Sequence, residues 1–382
     1  MRTLLTINAG SSSIKFALFE AGAAPRRLDK GSIERIGLAD GPDRQTAVEQ
    51  LMQWIGKHAG GDGGGQRSGH GDLGAVAHRI VHGGPRYSAP VRLTPAVVTE
   101  LKALSPFDPD HLPQELRLAQ ALAERFPDLP QVACFDTAFH HDMPRVAQLL
   151  ALPRRYQAQG LRRYGFHGLS YAYLMQELER EAGTPAAQGR VVLAHLGNGA
   201  SLAAVRAGKS VDTSMGFTPA AGIPMSTRSG DLDPGIVWYL ARTEGLDAQR
   251  FNQLVNAESG LLGLSETSPD MRDLLAREAS DERAHDAVAL FCYQVRKWIG
   301  AFAAALGGLD TLVFAGGIGE HAAPVRARVC EGLDFLGLAV DASRNAANAR
   351  LISPDASRVA VRVIPTDEEQ MMAQLVAGVL AA

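Results

Sequence analysis

Cysteine is scarce in this chain. The three present in 382 residues, Cys134, Cys292 and Cys330, lie far apart in apolar segments. That excludes a disulfide framework and the regular Cys/His spacing of a zinc site, and it suits a reducing compartment. The adjacent His140 and His141 do not restore a metal site, because successive residues point apart. Long apolar runs are also absent, so no membrane span is expected, and Met1-Arg2 passes into a strand-like run without a signal-peptide core. A cytoplasmic protein without a membrane partner is the expectation. Charge of one sign is lacking too: the net charge is −3, which gives no reason to expect nucleic acid as a partner. An anionic ligand would have to be held by local charge. Finally, no P-loop is present, since the glycine-rich stretch 60 to 74 has neither a strand leading in nor a lysine following. It reads as a flexible loop.

What the chain does have is a repeated small-residue hairpin. Residues 4 to 18, LLTINAGSSSIKFAL, form two apolar runs joined by Gly10, Ser11, Ser12 and Ser13, with Asn8 before the turn and Lys15 after it. Backbone N–H groups, hydroxyls and a lysine at such a turn can close around a phosphate. The plan recurs half a chain later in VVLAHLGNGASLAAV, residues 191 to 205, around Gly197, Asn198, Gly199, Ala200 and Ser201. Two hairpins, one per half, in a chain too long for one ordinary core, predict an α/β protein of two duplicated domains. Their turns would face a shared cleft with a nucleotide's phosphates between them. The division predicted is 1 to 137 with 370 to 382 returning, and 138 to 369.

Patterns along the chain supply further candidates. A third strand is expected near 31 to 36, helices at 46 to 58, 95 to 104 and 114 to 126, and strands at 75 to 81 and 131 to 135. Carboxyl ends of strands carry the ligands in open α/β sheets, which draws attention to Arg79 and Asp136. A helix over 168 to 182 precedes the second hairpin. The segment 211 to 235 is too rich in Gly, Pro, Ser and Thr for a helix or central strand, and loops this long in compact domains are functional or disordered. Within it, Arg228 among small residues could hold the equatorial oxygens of a transferring phosphoryl group, or could be a surface arginine paired with Asp231 or Asp233. His167 and His195 could be phosphate donors, a base, a phosphorylated intermediate or satisfied core residues. Apolar residues at helical spacing predict a buried helix over 284 to 306, followed by a strand at 309 to 315. Gly316, Gly317 and Gly319 then let backbone approach a flat or phosphorylated ligand. The last helix starts at Thr366 or Asp367 with Glu369 completing a possible capping box, and it stacks Met371, Leu375 and Val379. Glu368 in its first turn is either favoured there by the helix dipole or a magnesium ligand.

Nine segments carry a resemblance: NAGSSSIKF (8 to 16), HRIVHGG (78 to 84), FDTAFH (135 to 140), YGFHGLS (164 to 170), HLGNGAS (195 to 201), DTSMGFTP (212 to 219), TRSGDLDPG (227 to 235), SGLLG (259 to 263) and GGIGEH (316 to 321). In this order, across nearly the whole chain, they resemble the acetate kinase family of the acetate and sugar kinase, heat-shock protein and actin superfamily. The resemblance implies duplicated ribonuclease-H-like (actin-like ATPase) domains with an interdomain cleft. It implies ATP/ADP as substrate, Mg2+ with Mn2+ as an alternative, acetate and acetyl phosphate as the other reactants, and a homodimer. By matching position, Asn8, Ser11, Ser13 and Lys15 would serve phosphate and metal, and Glu368 would hold magnesium. Arg79 and Arg228 would hold the carboxylate and the moving phosphoryl group. Asp136 would be the essential carboxylate, His167 a transition-state donor, and Val81 and Pro219 the methyl pocket. His195, Gly197, Asn198 and Gly199 would meet the nucleotide phosphates. Asp270, Met271 and Arg272, with Gly317, Ile318, Gly319 and His321, would meet the adenosine. The chain departs from the family pattern at 105 to 113, SPFDPDHLP, and at Ser226, Glu266, His321 and Asp367. A propionate kinase differs from this reading only by pocket volume around Val81, since one methylene is worth about 1 to 3 kcal/mol. A nucleotide-gated scaffold of the actin or chaperone type is the alternative from another class.

Overall fold

The computed structural model describes residues 2–10, 13–36, 41–58 and 72–381. The chain divides into two compact units: 1–138 with 168–173 and 367–382, and 139–167 with 174–366. Each is built on one mixed sheet.

In the first unit, β1 (Arg2–Ala9), β2 (Ile14–Glu20) and β3 (Arg26–Ile33) form an antiparallel meander. Next, β4 (Asp72–Ile80) runs parallel to β1, and β6 (Gln131–Phe135) runs parallel to β4. The short β5 (Val91–Arg92) closes the edge, giving the order β3-β2-β1-β4-β6-β5. The second unit repeats this arrangement without the edge strand. There, β7 (Arg190–Leu196), β8 (Ala200–Arg206) and β9 (Lys209–Thr213) form the meander, and β10 (Thr311–Ala315) and β11 (Ala360–Val363) are parallel to β7 and to each other. The order β11-β10-β7-β8-β9 repeats that of the first sheet strand for strand, and the duplication seen in the hairpins therefore extends to whole sheets.

Period-2 alternation fixes what each face of the first sheet carries. Leu5, Ile7, Phe16, Leu18 and Val76 point to one side, where Ala47, Leu51 and Ile55 of the helix Arg44–His58 and Leu118 and Leu122 of the helix Leu112–Arg125 cover them. Leu4, Ala17, Phe19, Ala75, Ala77, Val132 and Cys134 point to the other side. There they meet Leu169 and, from the C-terminal helix Glu368–Ala381, Met371, Met372, Ala373 and Val376. Leu375 and Val379 pack at the margin of that layer. Side chains of this size each contribute roughly 1.5 to 3 kcal/mol when fully buried. In the second unit the helix Glu282–Leu306 plays the same part, burying Val288, Phe291, Val295, Ile299 and Phe302. All three cysteines are free and buried, as small core residues.

Two expectations need correction. The third strand begins at Arg26 and not at Gly31, because the polar run 26–30 forms a charged edge strand, the kind that resists pairing with another chain. Gly31 is its packing point: it lies opposite Phe16, and a Cβ built there would stand 2.4 Å from the Phe16 ring. The last helix is not capped through Glu369. The Asp367 carboxylate accepts from Gln370 N at 2.9 Å and pairs with Arg27, while Gln370 Nε2 reaches back to the Pro25 carbonyl. The segment 211–235 contributes its first three residues to β9 and then runs as turns and bends. Of the glycine-rich stretch 60 to 74, the residues up to 71 lie outside the described ones.

Among the described residues, the largest fully buried side chain is an arginine, Arg326. Its guanidinium donates to the carbonyls of Gly319, Glu320 and Asn345 and to the amide oxygens of Asn345 and Asn348, at 2.6 to 3.0 Å. It thereby ties the helix Gly316–His321 to the segment 345–348. Burial without a carboxylate lowers its pKa, with desolvation as the main cause. Arg326→Leu leaves those oxygens unsatisfied and is expected to lower unfolding free energy by roughly 2 to 4 kcal/mol in urea titrations, whereas an exposed arginine such as Arg272 changed to Leu shifts it by under about 0.5 kcal/mol.

Candidate active site

The alternation that builds the first core also gathers its polar residues. Asn8 shares a face with Thr6 near the end of β1, Arg79 with Ala75 and Ala77 near the end of β4, and Asp136 with Val132 and Cys134 just past β6. Lys15 is exposed and lies directly opposite Asn8 in the hairpin register. This is the face that the C-terminal helix covers, and its first residue closes the group. Asn8 Nδ2 donates to Glu368 Oε2 at 2.7 Å and to Glu369 Oε1 at 3.4 Å. Gly10 N–H donates to the Ser13 carbonyl at 2.8 Å, so the turn is closed. Ser11 lies outside the described residues.

Charge is dense in this cluster. Arg79 Nε and Nη2 donate to Asp136 Oδ2 at 3.1 and 2.5 Å, and Asp136 is fully buried. Burial opposes the Arg79 charge, but Asp136, Glu368 and Glu115 outweigh it and its pKa is raised. Asp136 Oδ1 is buried with no hydrogen-bond partner, an atom shaped for something outside the chain. Burial, together with repulsion from Asp136, pushes the Glu368 carboxyl up to about 7.

One member of this cluster, Glu115, escapes the sequence reading. It is buried on the helix Leu112–Arg125, its Oε2 accepts the Val81 N–H at 2.8 Å, and its Oε1 stands 3.6 Å from Arg79 Nη1. Arg79 spends its hydrogen bonds on Asp136, so burial dominates and the Glu115 pKa rises to about 8. A signal was available: a glutamate at a position whose helical neighbours Leu118, Ala119 and Leu122 are all apolar.

In the second unit the hairpin turn Gly197–Asn198–Gly199 is the centre. A Cβ built on Gly199 would lie 3.2 Å from His167 Nε2 and 3.7 Å from Arg228 Nη1, so the missing side chain makes room for two nitrogen donors. His167 sits in the left-handed region, at φ 58°, as the residue before the helix Gly168–Ala182. Its Nδ1 meets Ser201 Oγ at 2.8 Å, and its ring stacks on His195 with centroids 4.4 Å apart. The reading of Arg228 as a surface residue paired with Asp231 or Asp233 fails. Arg228 is half-buried with Nη1 3.4 Å from the Pro219 carbonyl, while Asp231 and Asp233 accept from the N–H groups of Gly222 and Gly235. The loop is laced to the turn: Ser226 N–H donates to the Asn198 carbonyl and Met225 N–H to the Arg228 carbonyl.

The second glycine cluster adjoins the same turn. Gly316, at φ 76°, would place a Cβ 2.7 Å from the Leu196 carbonyl, and a Cβ on Gly197 would come 3.9 Å from Gly317 N. Glu320 Oε1 accepts from Gly316 N and Thr366 N, which holds the helix start. Gly317 is exposed with open space above it, Ile318 is half-exposed, Gly319 is buried and His321 is exposed. Met271 is buried; Asp270 caps the helix Met271–Arg277 and pairs with an exposed Arg272.

Comparison with known proteins agrees with this arrangement. The model of the Acetokinase family matches residues 3–374. An acetate kinase of Rhodopseudomonas palustris is 44% identical over 400 residues, covering 97% of this chain and 96% of that protein. A propionate kinase of Citrobacter rodentium is 44% identical over 384 residues, covering 97% and 95%. The crystal structure of Porphyromonas gingivalis acetate kinase superposes with TM-score 0.86 at 36% identity, covering both chains fully. That of a propionate kinase from Francisella tularensis superposes with TM-score 0.88 at 33%, covering 98% of this chain and 99% of that one. The two mixed sheets form the duplicated actin-like ATPase fold.

The Glu115 carboxyl sets a pH dependence of stability. Its folded pKa of about 8 lies above the ordinary 4.5, so the folded chain holds the proton more tightly and this contribution is full below about 4.5 and lost as pH rises through about 8. In urea titrations, stability is expected to fall with pH across that window by up to about 1 kcal/mol per unit, and Glu115→Gln to flatten that part of the curve. An unchanged slope in the variant would contradict the assignment.

Proposed function

We propose, for a chain that belongs to the acetokinase family, reversible transfer of the ATP γ-phosphoryl group to acetate, giving acetyl phosphate and ADP in a single in-line displacement. The observation that carries it is the pair of nitrogen donors, His167 and Arg228, at the Cβ-less Gly199 of a phosphate-type turn.

Acetate is already a nucleophile, so no strong base is required, and catalysis reduces to bringing two anions together while cancelling their repulsion. Arg79 receives the acceptor carboxylate; its Nη1 is the edge not committed to Asp136. Val81 and Pro219, both buried, take the methyl group. Arg228 and His167 meet the charge that develops on the equatorial phosphoryl oxygens. Ser201 holds the other ring nitrogen of His167, and the stacked His195 limits its rotation. Asn198, Gly197, Gly199, His195, Lys15, Ser11 and Ser13 bind the nucleotide phosphates. Asp270, Met271, Arg272, Gly317, Ile318, Gly319 and His321 flank the adenosine.

Mg2+, or Mn2+ in its place, fits the first unit. Asn8 and Glu368 supply oxygen ligands, and Asp136 Oδ1 is buried without a hydrogen-bond partner beside them. Among the described residues no three His, Cys, Asp or Glu side chains form a metal-holding group. When bound, the ion neutralises phosphate charge.

The proposal includes a cytoplasmic homodimer. No helix among the described residues is long and apolar enough to cross a membrane. The helix Gly235–Thr243 leaves Ile236, Val237, Trp238 and Tyr239 exposed, with Trp238 at 64%, and a second copy would cover them. Sedimentation should give twice the chain mass, and Trp238→Glu should shift it toward the monomer; a wild-type monomer would end this part of the reading.

The hydroxamate assay with acetate, ATP and hydroxylamine tests the chemistry. Arg228→Ala is expected to lower kcat by about 100-fold or more, as loss of one transition-state donor does. Slow ATP turnover independent of acetate, with no hydroxamate formed, would favour a nucleotide-gated scaffold. The same assay across acetate, propionate and butyrate checks the acceptor: the largest kcat/KM is expected for acetate, and a larger one for propionate would select the other activity named among the relatives. In-line transfer inverts the configuration at phosphorus, whereas a phosphohistidine at His167 would retain it.

A further inference from the structure

We infer that Glu115 is a positioning residue for the carboxylate acceptor, acting through the Val81 main chain and the Arg79 side chain; the inference rests on the acceptor reading above. Val81 is the first residue past β4, where the sheet ladder ends, and its N–H is met instead by Glu115 Oε2 at 2.8 Å. The other oxygen stands 3.6 Å from Arg79 Nη1, the edge opposite the one Asp136 holds. One carboxyl thus sets the height of the methyl-pocket residue and borders the free edge of the guanidinium two residues earlier.

The 3.6 Å separation is beyond hydrogen-bond reach, so Nη1 is bordered and not captured. A neutral carboxyl keeps the Val81 bond without competing for Nη1. An ionised one would rival the incoming carboxylate. The charged groups acting on Glu115 are Arg79 and Asp136 at the strand ends, Asp108 just before its own helix, and Arg44 on the helix Arg44–His58. The helix bearing Glu115 opens at the segment 105 to 113, where the chain departs from the family pattern.

Kinetics of Glu115→Leu and Glu115→Gln against wild type test the role. Leucine removes the acceptor for Val81 N–H, and the KM for acetate is expected to rise about tenfold or more, with kcat and the KM for ATP changed by less than about threefold. Glutamine keeps an oxygen for that N–H and should restore the acetate KM to within about threefold of wild type. As pH rises past about 8 the wild-type acetate KM should climb and that of Glu115→Gln should not. An unchanged acetate KM in Glu115→Leu, or KM values for acetate and ATP rising together, overturns the role. If Glu115→Leu does not fold, Glu115→Gln decides, because an alkaline rise equal to that of wild type overturns it equally. A wild type without acetate-dependent turnover would fell the activity reading and this inference with it; an active wild type with the failures above fells only this one.

Discussion

Arg79 lies among the buried Asp136 and Glu115 and the half-buried Glu368, and one guanidinium cannot neutralise three carboxyls. Removing a charge from water costs several kcal/mol unless a partner compensates it closely. Arg79 gives its two hydrogen bonds to Asp136, so the burden falls on the other two carboxyls, whose pKa values rise toward and above neutrality. The first unit therefore holds more potential negative charge than its own cation satisfies. That imbalance is what a cationic cofactor, or a proton, would relieve.

The second unit solves the complementary problem with absence of side chain. In the proposed reading its turn admits polyanionic phosphate while keeping donors in place, and donors on flexible stems lose entropy when fixed. Gly199 gives the space, and the donors are fixed from elsewhere: His167 by Ser201 and the stacked His195, and Arg228 by a loop whose backbone is bonded to Asn198. A segment that composition marks as irregular is thus ordered by its own hydrogen bonds. Arg326 does similar work for the neighbouring helix by satisfying the carbonyls of Gly319 and Glu320.

Much of this was legible from local pattern. Small residues at two turns, alternating apolar strands and a helical stripe over 284 to 306 report backbone geometry and burial, which depend on near neighbours in the chain. The duplication followed from the repeated hairpin and extends to both sheets. Arg79 and Asp136 stood out as polar residues where apolar strands end. By contrast, Arg326 and the Arg27–Asp367 cap had no local mark, and Glu115 had only its apolar helical neighbours, since each draws its meaning from a partner distant in sequence. Glu369 failed as a capping residue for the same reason: a rival cap was stabilised by an arginine from another strand.

Residue order, then, was sufficient for most of the strands and helices and for the two small-residue turns, because periodicity and backbone freedom are local properties. Which carboxyl would carry a proton, which arginine would be caged by carbonyls, and that Arg228 would lie beside Gly199 depended on packing. Desolvation and long-range pairing set those outcomes, and both exist only once the sheets and helices have closed around the side chains.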